Sequence, residues 1–438
     1  MLKLCLFLAA LVLTSAGASG QDGAMNNDKR NQLDAMLQQV SSDVVKHYYD
    51  PKLHGVDWDA KVRETREKVR QEQSINMAMA HVAALLDSLN DSHTYLIPPG
   101  RPYVLEHGWS VKMIGDKCYV TRIKPEGSAE AAGVHLGDQL LAINGYRVNR
   151  DNLWRIEYAF NVLRPQQQLM LTLQNPAGEI RKVQMTARFR PRASVRNWDA
   201  NTYQNLMMEA EDWYRDQRIR TAQFGEDLLI AKLRSFLIAP SEMANFIGSS
   251  RRYKALILDL RENPGGAVET DDALIAGLFD HDVKIADRVG RNSTKPEIVK
   301  TNHHPFEGKL FVLVDSKSAS ASEILARVVQ LEKRGVILGD RSSGMVMEAR
   351  GYSYASGIDL ITFYAAAITD ANLIMTDGHS LEHEGVTPDQ IALPNADDIA
   401  QGRDPVLSRA AEMAGVKLSP EDAAKLFPFQ WPKERTTN

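Results

Sequence analysis

Apolar residues between positions 26 and 90 recur every three or four places: Leu33, Met36, Leu37, Val40 and Val44 form one stripe, and Met77, Met79, Val82, Leu85 and Leu86 form another. That period belongs to helices with one buried face. Residues 24–98 therefore read as a small helical domain, broken between its helices near Pro51 and Gly55. From 103 to 188 the texture changes to short β-like runs at 118–123, 139–143, 169–173 and 180–185, interrupted by one helix at 153–163. Residues 192–220 are charged and weakly patterned, as expected of a connector with a short helix. Beyond them, over 221–396, apolar runs at 228–233, 255–260, 310–314 and 336–338 alternate with helical patterns at 241–246, 271–279 and after Ser320. Alternation at these lengths predicts an α/β layer on a largely parallel sheet. The stretch 397–438 adds a helix at 405–414 and a polar end. The whole is an α+β multidomain chain.

Composition narrows the partners. Over 438 residues, 44% are hydrophobic and 25% charged, and the formal charge of -4 leaves no basic footprint for nucleic acid. The cluster of arginines between 188 and 196 reads as a solvated linker. Residues 1–20 combine Lys3, a short apolar run and the small residues Ala16 and Ala18 at cleavage spacing, the pattern of a secretory signal peptide. That run falls short of the ~20 apolar residues a spanning helix needs, and no later stretch reaches it. A soluble exported protein, periplasmic or extracellular, is the expectation. Of the two cysteines, Cys5 lies in the signal, so Cys118 is alone in the mature chain and reads as a core thiol.

The candidate chemistry lies in two turns. Ser-Ala-Ser-Ala-Ser-Glu at 318–323 follows an apolar strand and opens a helix, which exposes a hydroxyl beside unpaired backbone N–H groups. Ser320 and Glu323 also match a helix capping box, and both readings stand together. Asn-Pro-Gly-Gly at 263–266 ends another apolar strand, and its glycines let the backbone approach a reacting group with free N–H groups.

Pro125 to Gly145, containing Gly-Ser-Ala-Glu-Ala-Ala-Gly-Val and Leu-Gly-Asp-Gln-Leu-Leu-Ala-Ile-Asn-Gly, closely resembles the centre of a PDZ domain of the bacterial protease type. Such domains add an extended peptide to a sheet edge and hold its terminal carboxylate on backbone N–H groups. The resemblance places that loop at Gly108, Trp109, Ser110 and Val111, although Trp109 also suits a core position. With Asp91-Ser-His-Thr94, the Pro-Gly-Gly turn, the serine motif and Glu384-Gly-Val-Thr-Pro-Asp389, nearly the whole chain resembles the tail-specific or C-terminal processing serine peptidases and their tricorn-like relatives. The resemblance implies a ClpP/crotonase-like α/β core, Ser320 as nucleophile, and the N–H groups of Gly266 and Ala321 as oxyanion donors.

One departure changes the expected base. Where the commonest members carry a lysine, this chain has Met345, and a thioether accepts no proton. Lys333 and Arg334 fall at the far end of the preceding strand. Tricorn-like members use a Ser-His pair and a glutamate, which map here to Ser92, His93 and Glu382, with Glu384 as the alternative carboxylate. A histidine suits proton transfer near neutrality. His93 is retained in the lysine type too, so a structural role stays open. His379 and His383 lack metal-helix spacing, and neither a metal nor a cofactor is expected. The expected partners are peptides or proteins presented by their C-terminal regions, with no nucleic acid and no integral membrane segment. The chain reads as a serine endopeptidase; the rival reading is a PDZ-bearing pseudopeptidase that binds peptides without cutting them.

Overall fold

The computed structural model describes residues 25–101, 103–191, 217–301, 303–356 and 362–431; the expected signal peptide and most of the expected connector lie outside them. Helices Asn27–His47, Trp58–Gln71 and Ile75–Asp87 form on the predicted stripes. Each is opened by a side-chain oxygen that satisfies an orphan amide: Asn26 caps Lys29, Asp57 caps Ala60 and Ser74 caps Met77. Their common face, with Leu37, Val40, Val44 and Leu86, is buried together with Leu96, Tyr364, Ala366 and Ile368. Those last four belong to a sheet, so the helical region and the peptide chain beyond 280 share one core.

This sheet is antiparallel throughout, in the order Tyr95–Ile97, Thr362–Met375, Val283–Gly290, Thr294–Val299, with Met347–Ser356 also paired to the long strand. It joins the first hundred residues to the last hundred. Residue 94, where His93 ends its turn, leads directly into the edge strand.

The middle segment folds as the expected β-domain. Strands Trp109–Ile114, Lys117–Ile123, Gln139–Ile143, Gln168–Gln174 and Ile180–Thr186 pair antiparallel in that order, around Val111, Val120, Ile143, Ile156, Phe160 and Leu171. Its helix, Leu153–Glu157, continues as a wider turn through Tyr158–Leu163. Trp109–Ile114 is an edge strand, bonded on one side only.

The predicted parallel layer runs Leu228–Lys232, Ala255–Asp259, Lys309–Val314, Val336–Gly339 and Gln390–Ile391, with Arg220–Phe224 antiparallel at one edge. Both of its faces are covered, which is why its central strands are apolar at nearly every position. Helices Pro240–Ser250, Val268–Ala276 and Ala321–Leu331 pack on one face through Met243, Leu274, Leu325 and Val329. Pro405–Met413 and Pro420–Lys425 cover the other through Leu407, Ala410, Ala411 and Ala423. The turns at the carboxyl ends of Ala255–Asp259, Lys309–Val314 and Val336–Gly339 consequently open on the same side, where sheets of this kind place their sites.

Candidate active site

The serine motif sorts itself by burial. Ser318 Oγ donates to the Leu260 carbonyl at 2.8 Å, and Ser322 Oγ donates to the Asn263 carbonyl at 3.0 Å; both residues are fully buried. Ser320 between them is part-exposed at the start of helix Ala321–Leu331. Its backbone sits at φ 55° and ψ -122°, a region costly for a residue with a Cβ. The conformation is held from both sides: the Ser320 N–H donates to the Met345 carbonyl at 2.9 Å and to Glu323 Oε2 at 3.1 Å, and its carbonyl accepts the Glu323 N–H at 2.8 Å. With the amide of Glu323 served by a backbone carbonyl, the cap does not depend on the Ser320 hydroxyl.

Asn263 stitches the glycine turn against this motif. Its carbonyl accepts the Ala319 N–H at 3.0 Å, and its side-chain oxygen accepts the Gly265 N–H at 2.9 Å. The contact is so close that a Cβ on Gly265, which has φ +93°, would lie 2.7 Å from the Ser320 Cβ. Gly266, at φ +153°, has no more room: a Cβ there would meet the Phe236 carbonyl carbon at 2.5 Å. Among the described residues neither the Gly266 N–H nor the Ala321 N–H has a hydrogen-bond partner. Two free amides beside a serine hydroxyl, one of them at a helix N-terminus, are what a developing oxyanion requires.

His93 is placed by Asp91. The buried Asp91 carboxylate accepts the N–H groups of His93 and Thr94 at 2.8 and 3.1 Å, the Thr369 hydroxyl at 2.7 Å and the Tyr48 hydroxyl at 2.9 Å. One side chain thus locks the turn to the long strand and the first helix. Asp91→Ala leaves these donors without an acceptor, each costing about 1–3 kcal/mol when buried. A fall in thermal midpoint of about 10 °C or more is expected by calorimetry, and turnover should fall with it; an unchanged midpoint would refute the role.

The imidazole continues into a relay. His93 Nδ1 lies 2.8 Å from Ser92 Oγ, and Ser92 Oγ lies 2.9 Å from Glu382 Oε2. Glu382 Oε1 also accepts the Ser92 N–H at 2.8 Å, and Oε2 accepts the Val346 N–H at 2.9 Å. A carboxylate only accepts, so the single hydroxyl proton of Ser92 goes to Glu382. Ser92 Oγ must then accept from Nδ1–H, which leaves Nε2 as the unprotonated, basic nitrogen. Burial holds the His93 pKa below its ordinary 6.5, while the charges of Glu382 and Asp91 pull it back up. Glu384, the alternative carboxylate, is exposed and takes no part in this chain of bonds.

His93 and Ser320 make no direct hydrogen bond, yet one peptide group spans their supports. The carbonyl of Met345 holds the Ser320 N–H, and the amide of the same peptide unit, Val346 N–H, holds Glu382. Oxygen and nitrogen lie about 2.3 Å apart across a planar peptide, so serine and relay are fastened to opposite ends of a crossbeam. Met345, which stands at the expected lysine position, thus supplies through its backbone the link between Ser320 and Glu382. The buried lysines on this side are engaged elsewhere, Lys112 with Asp315 at 2.9 Å and Lys232 with Asp259 at 3.1 Å.

The four residues expected to receive a peptide also lie together. Gly108, Trp109, Ser110 and Val111 line a groove of about 430 Å³ whose far wall includes Ile156 and Phe160 of the helical turn. His107 and Arg190 line it too and were not signalled by sequence pattern. The groove runs along the first three residues of the edge strand, Trp109, Ser110 and Val111, where an added strand would find unpaired backbone groups. Cys118 is buried, and burial pushes its thiol well above the ordinary range, in keeping with a core residue. Among the described residues no cluster of His, Cys, Asp or Glu is arranged to hold a metal ion, and no helix is long and apolar enough to cross a membrane.

Fold and site together give an α/β layer that presents Ser320 beside two free amides, with an antiparallel β-domain packed next to it. Comparison with known proteins finds two matching segments: residues 220–392 match peptidase family S41, and residues 106–174 match the PDZ domain. The parallel layer is thus similar to an S41 peptidase domain and the β-domain to a PDZ domain. It is similar to carboxyl-terminal-processing peptidase 3, chloroplastic, of Arabidopsis thaliana, with 27% identity over 365 residues that cover 78% of this chain and 65% of the relative. Similarity to the tail-specific protease of Haemophilus influenzae is 31% over 173 residues, covering 38% of this chain and 24% of that protein. The chain thus spans under two thirds of either relative's length. The crystal structure of mature CPAF superimposes with a TM-score of 0.62 at 15% identity, covering 85% of this chain and 94% of that one, a likeness of fold.

Proposed function

We propose that this protein is an exported serine endopeptidase that receives the C-terminal region of a peptide or protein in its PDZ groove and cleaves peptide bonds through an acyl-enzyme at Ser320. The observation that carries this reading is the division of labour in the serine motif: Ser318 and Ser322 are buried in structural bonds, while Ser320 is held in a strained, part-exposed turn beside two free amides. The relatives' names, processing peptidase and tail-specific protease, agree with it. Export rests on the signal-like pattern of residues 1–20.

In this mechanism His93 Nε2 takes the Ser320 hydroxyl proton as Oγ attacks the substrate carbonyl. The N–H groups of Gly266 and Ala321 receive the oxyanion. His93 then passes its proton to the leaving amine, and a water, activated by the same nitrogen, hydrolyses the ester. Glu382, acting through Ser92, fixes the tautomer and offsets the imidazolium charge.

A fluorophosphonate probe tests the assignment, because it reacts with an activated serine and needs no knowledge of the substrate. The wild type should label and Ser320→Ala should not. Failure of the wild type to label under conditions where it binds peptide would favour the pseudopeptidase suggested by Met345. The base adds a second signature. Because His93 must be neutral to accept the proton and burial holds its pKa below 6.5, the acid limb of kcat/KM should have its midpoint below pH 6.5. An acid limb well above pH 7 would point to another base.

A further inference from the structure

After helix Pro420–Lys425 the chain runs without regular structure through Phe427, Pro428, Phe429, Gln430 and Trp431. Phe427, Phe429 and Trp431 are part-buried, whereas Pro428 and Gln430 between them are exposed. A two-residue period of this kind belongs to an extended segment lying with one face on a surface. Cations from two domains hold that face. The Arg122 guanidinium, on the PDZ strand Lys117–Ile123, stands 4.3 Å from the centre of the Phe429 ring, and Arg234 of the peptidase domain stands 5.7 Å from it. Arg220 faces the Phe427 ring at 5.6 Å and donates to the Pro428 carbonyl at 3.1 Å.

What the aromatic rings cover is specific. Phe429 and Trp431 meet edge to face at 5.1 Å, and both line the groove beside the edge strand Trp109–Ile114. Phe429 also closes a separate cavity of about 180 Å³ lined by Lys112, Arg122, Lys232 and Arg261. Arg122 pairs in turn with Glu262, the residue before Asn263, so one guanidinium links the aromatic segment to the glycine turn.

We propose that residues 427–431 form a strap that occupies part of the PDZ groove in the resting protein, with Phe429 and Trp431 standing where the apolar side chains of a bound peptide would lie. The inference rests on the reading of that groove as the peptide-binding site. An incoming peptide lifts the aromatic face of the strap before its backbone pairs with Trp109–Ile114. The strap is in cis, so it competes at a fixed effective concentration and sets a threshold on which peptides enter. Peptides with weak apolar ends are thereby refused.

The test uses the full chain carrying Ser320→Ala, so that bound peptide is not consumed. Binding of a fluorescein-labelled decapeptide ending in Ala-Val-Val with a free carboxylate is followed by anisotropy, with and without the double change Phe429→Ser and Trp431→Ser. If the groove is open only about a tenth of the time, the double variant binds roughly ten-fold tighter. Equal or weaker binding in the variant overturns the proposal, because the aromatic residues would then be a wall of the site and not its cover. Hydrogen exchange at residues 109–111 without peptide reads the strap independently of any ligand: faster exchange in the double variant supports it, and unchanged exchange overturns it. If exchange quickens while neither form binds the peptide, the cover is upheld and the peptide-capture reading of the groove falls instead.

Discussion

His93→Ala is expected to lower kcat on a peptide substrate by about a thousand-fold, within the usual range for loss of a general base, and added imidazole should restore part of the loss. The expectation follows from proton bookkeeping at Ser92. Its hydroxyl faces a carboxylate that can only accept and an imidazole nitrogen 2.8 Å away, so the ring has one permitted tautomer and its Nε2 is left basic. Ser92→Ala should be milder, since it removes the orienting acceptor and leaves the base. Chemical rescue separates catalysis from architecture: a ring needed only for packing would not be replaced by free imidazole in solution. Retention of activity within a few-fold in His93→Ala would place the base elsewhere and return Met345 to the centre of the problem.

The parts of this site that were legible in sequence are those carried by contiguous residues. Ser320 lies within a six-residue motif, and the glycine turn within a four-residue one, each at the end of an apolar strand that announces itself. The strand-helix alternation of the peptidase layer could be read for the same reason: its strands are buried on both faces and apolar throughout. The second sheet gave no such signal. Val283–Gly290 and Thr294–Val299 carry Lys on exposed positions and Asp, Arg and Glu on half-buried ones, and Thr362–Met375 contains three consecutive alanines that by propensity favour helix. Its extended form comes from partners on both sides, drawn from residues 95–97, 283–290 and 347–356. Asp91 lies within a contiguous motif, but its role as a hub is invisible in sequence because its donors come from positions as distant as Tyr48 and Thr369. The relay from Glu382 to Ser92 spans 290 positions; only resemblance to a family, and no local pattern, could propose it.

Glu323→Gln is expected to cost about 3 kcal/mol of folding stability or more, and to depress turnover although the side chain never faces the substrate. Glu323 is fully buried and accepts from four donors: Ser342 Oγ at 2.5 Å and Gly344 N–H at 2.7 Å on one oxygen, Met345 N–H at 3.0 Å and Ser320 N–H at 3.1 Å on the other. An amide cannot reproduce this. Turned toward Met345 and Ser320 its NH2 group meets two N–H donors; turned the other way it meets the Gly344 N–H and forces the Ser342 hydroxyl from donor to acceptor, and each buried donor left unsatisfied costs about 1–3 kcal/mol. The same residue carries a pH signature with a definite sign. Burial pushes its carboxyl up to about 7 from an ordinary 4.5, against the pull of its four hydrogen bonds. A carboxyl raised on folding binds its proton more tightly in the native state, so its contribution to stability is complete below pH 4.5 and is lost as pH rises through about 7. The stability difference between wild type and Glu323→Gln, measured by urea unfolding, should therefore narrow from pH 5 to pH 7.5 and level off above. Taking the difference removes His93, whose lowered pKa gives the opposite slope, with stability rising as pH approaches 6.5 from below. A gap that widened with pH would show that the four donors hold the carboxylate ionised more firmly than burial opposes it.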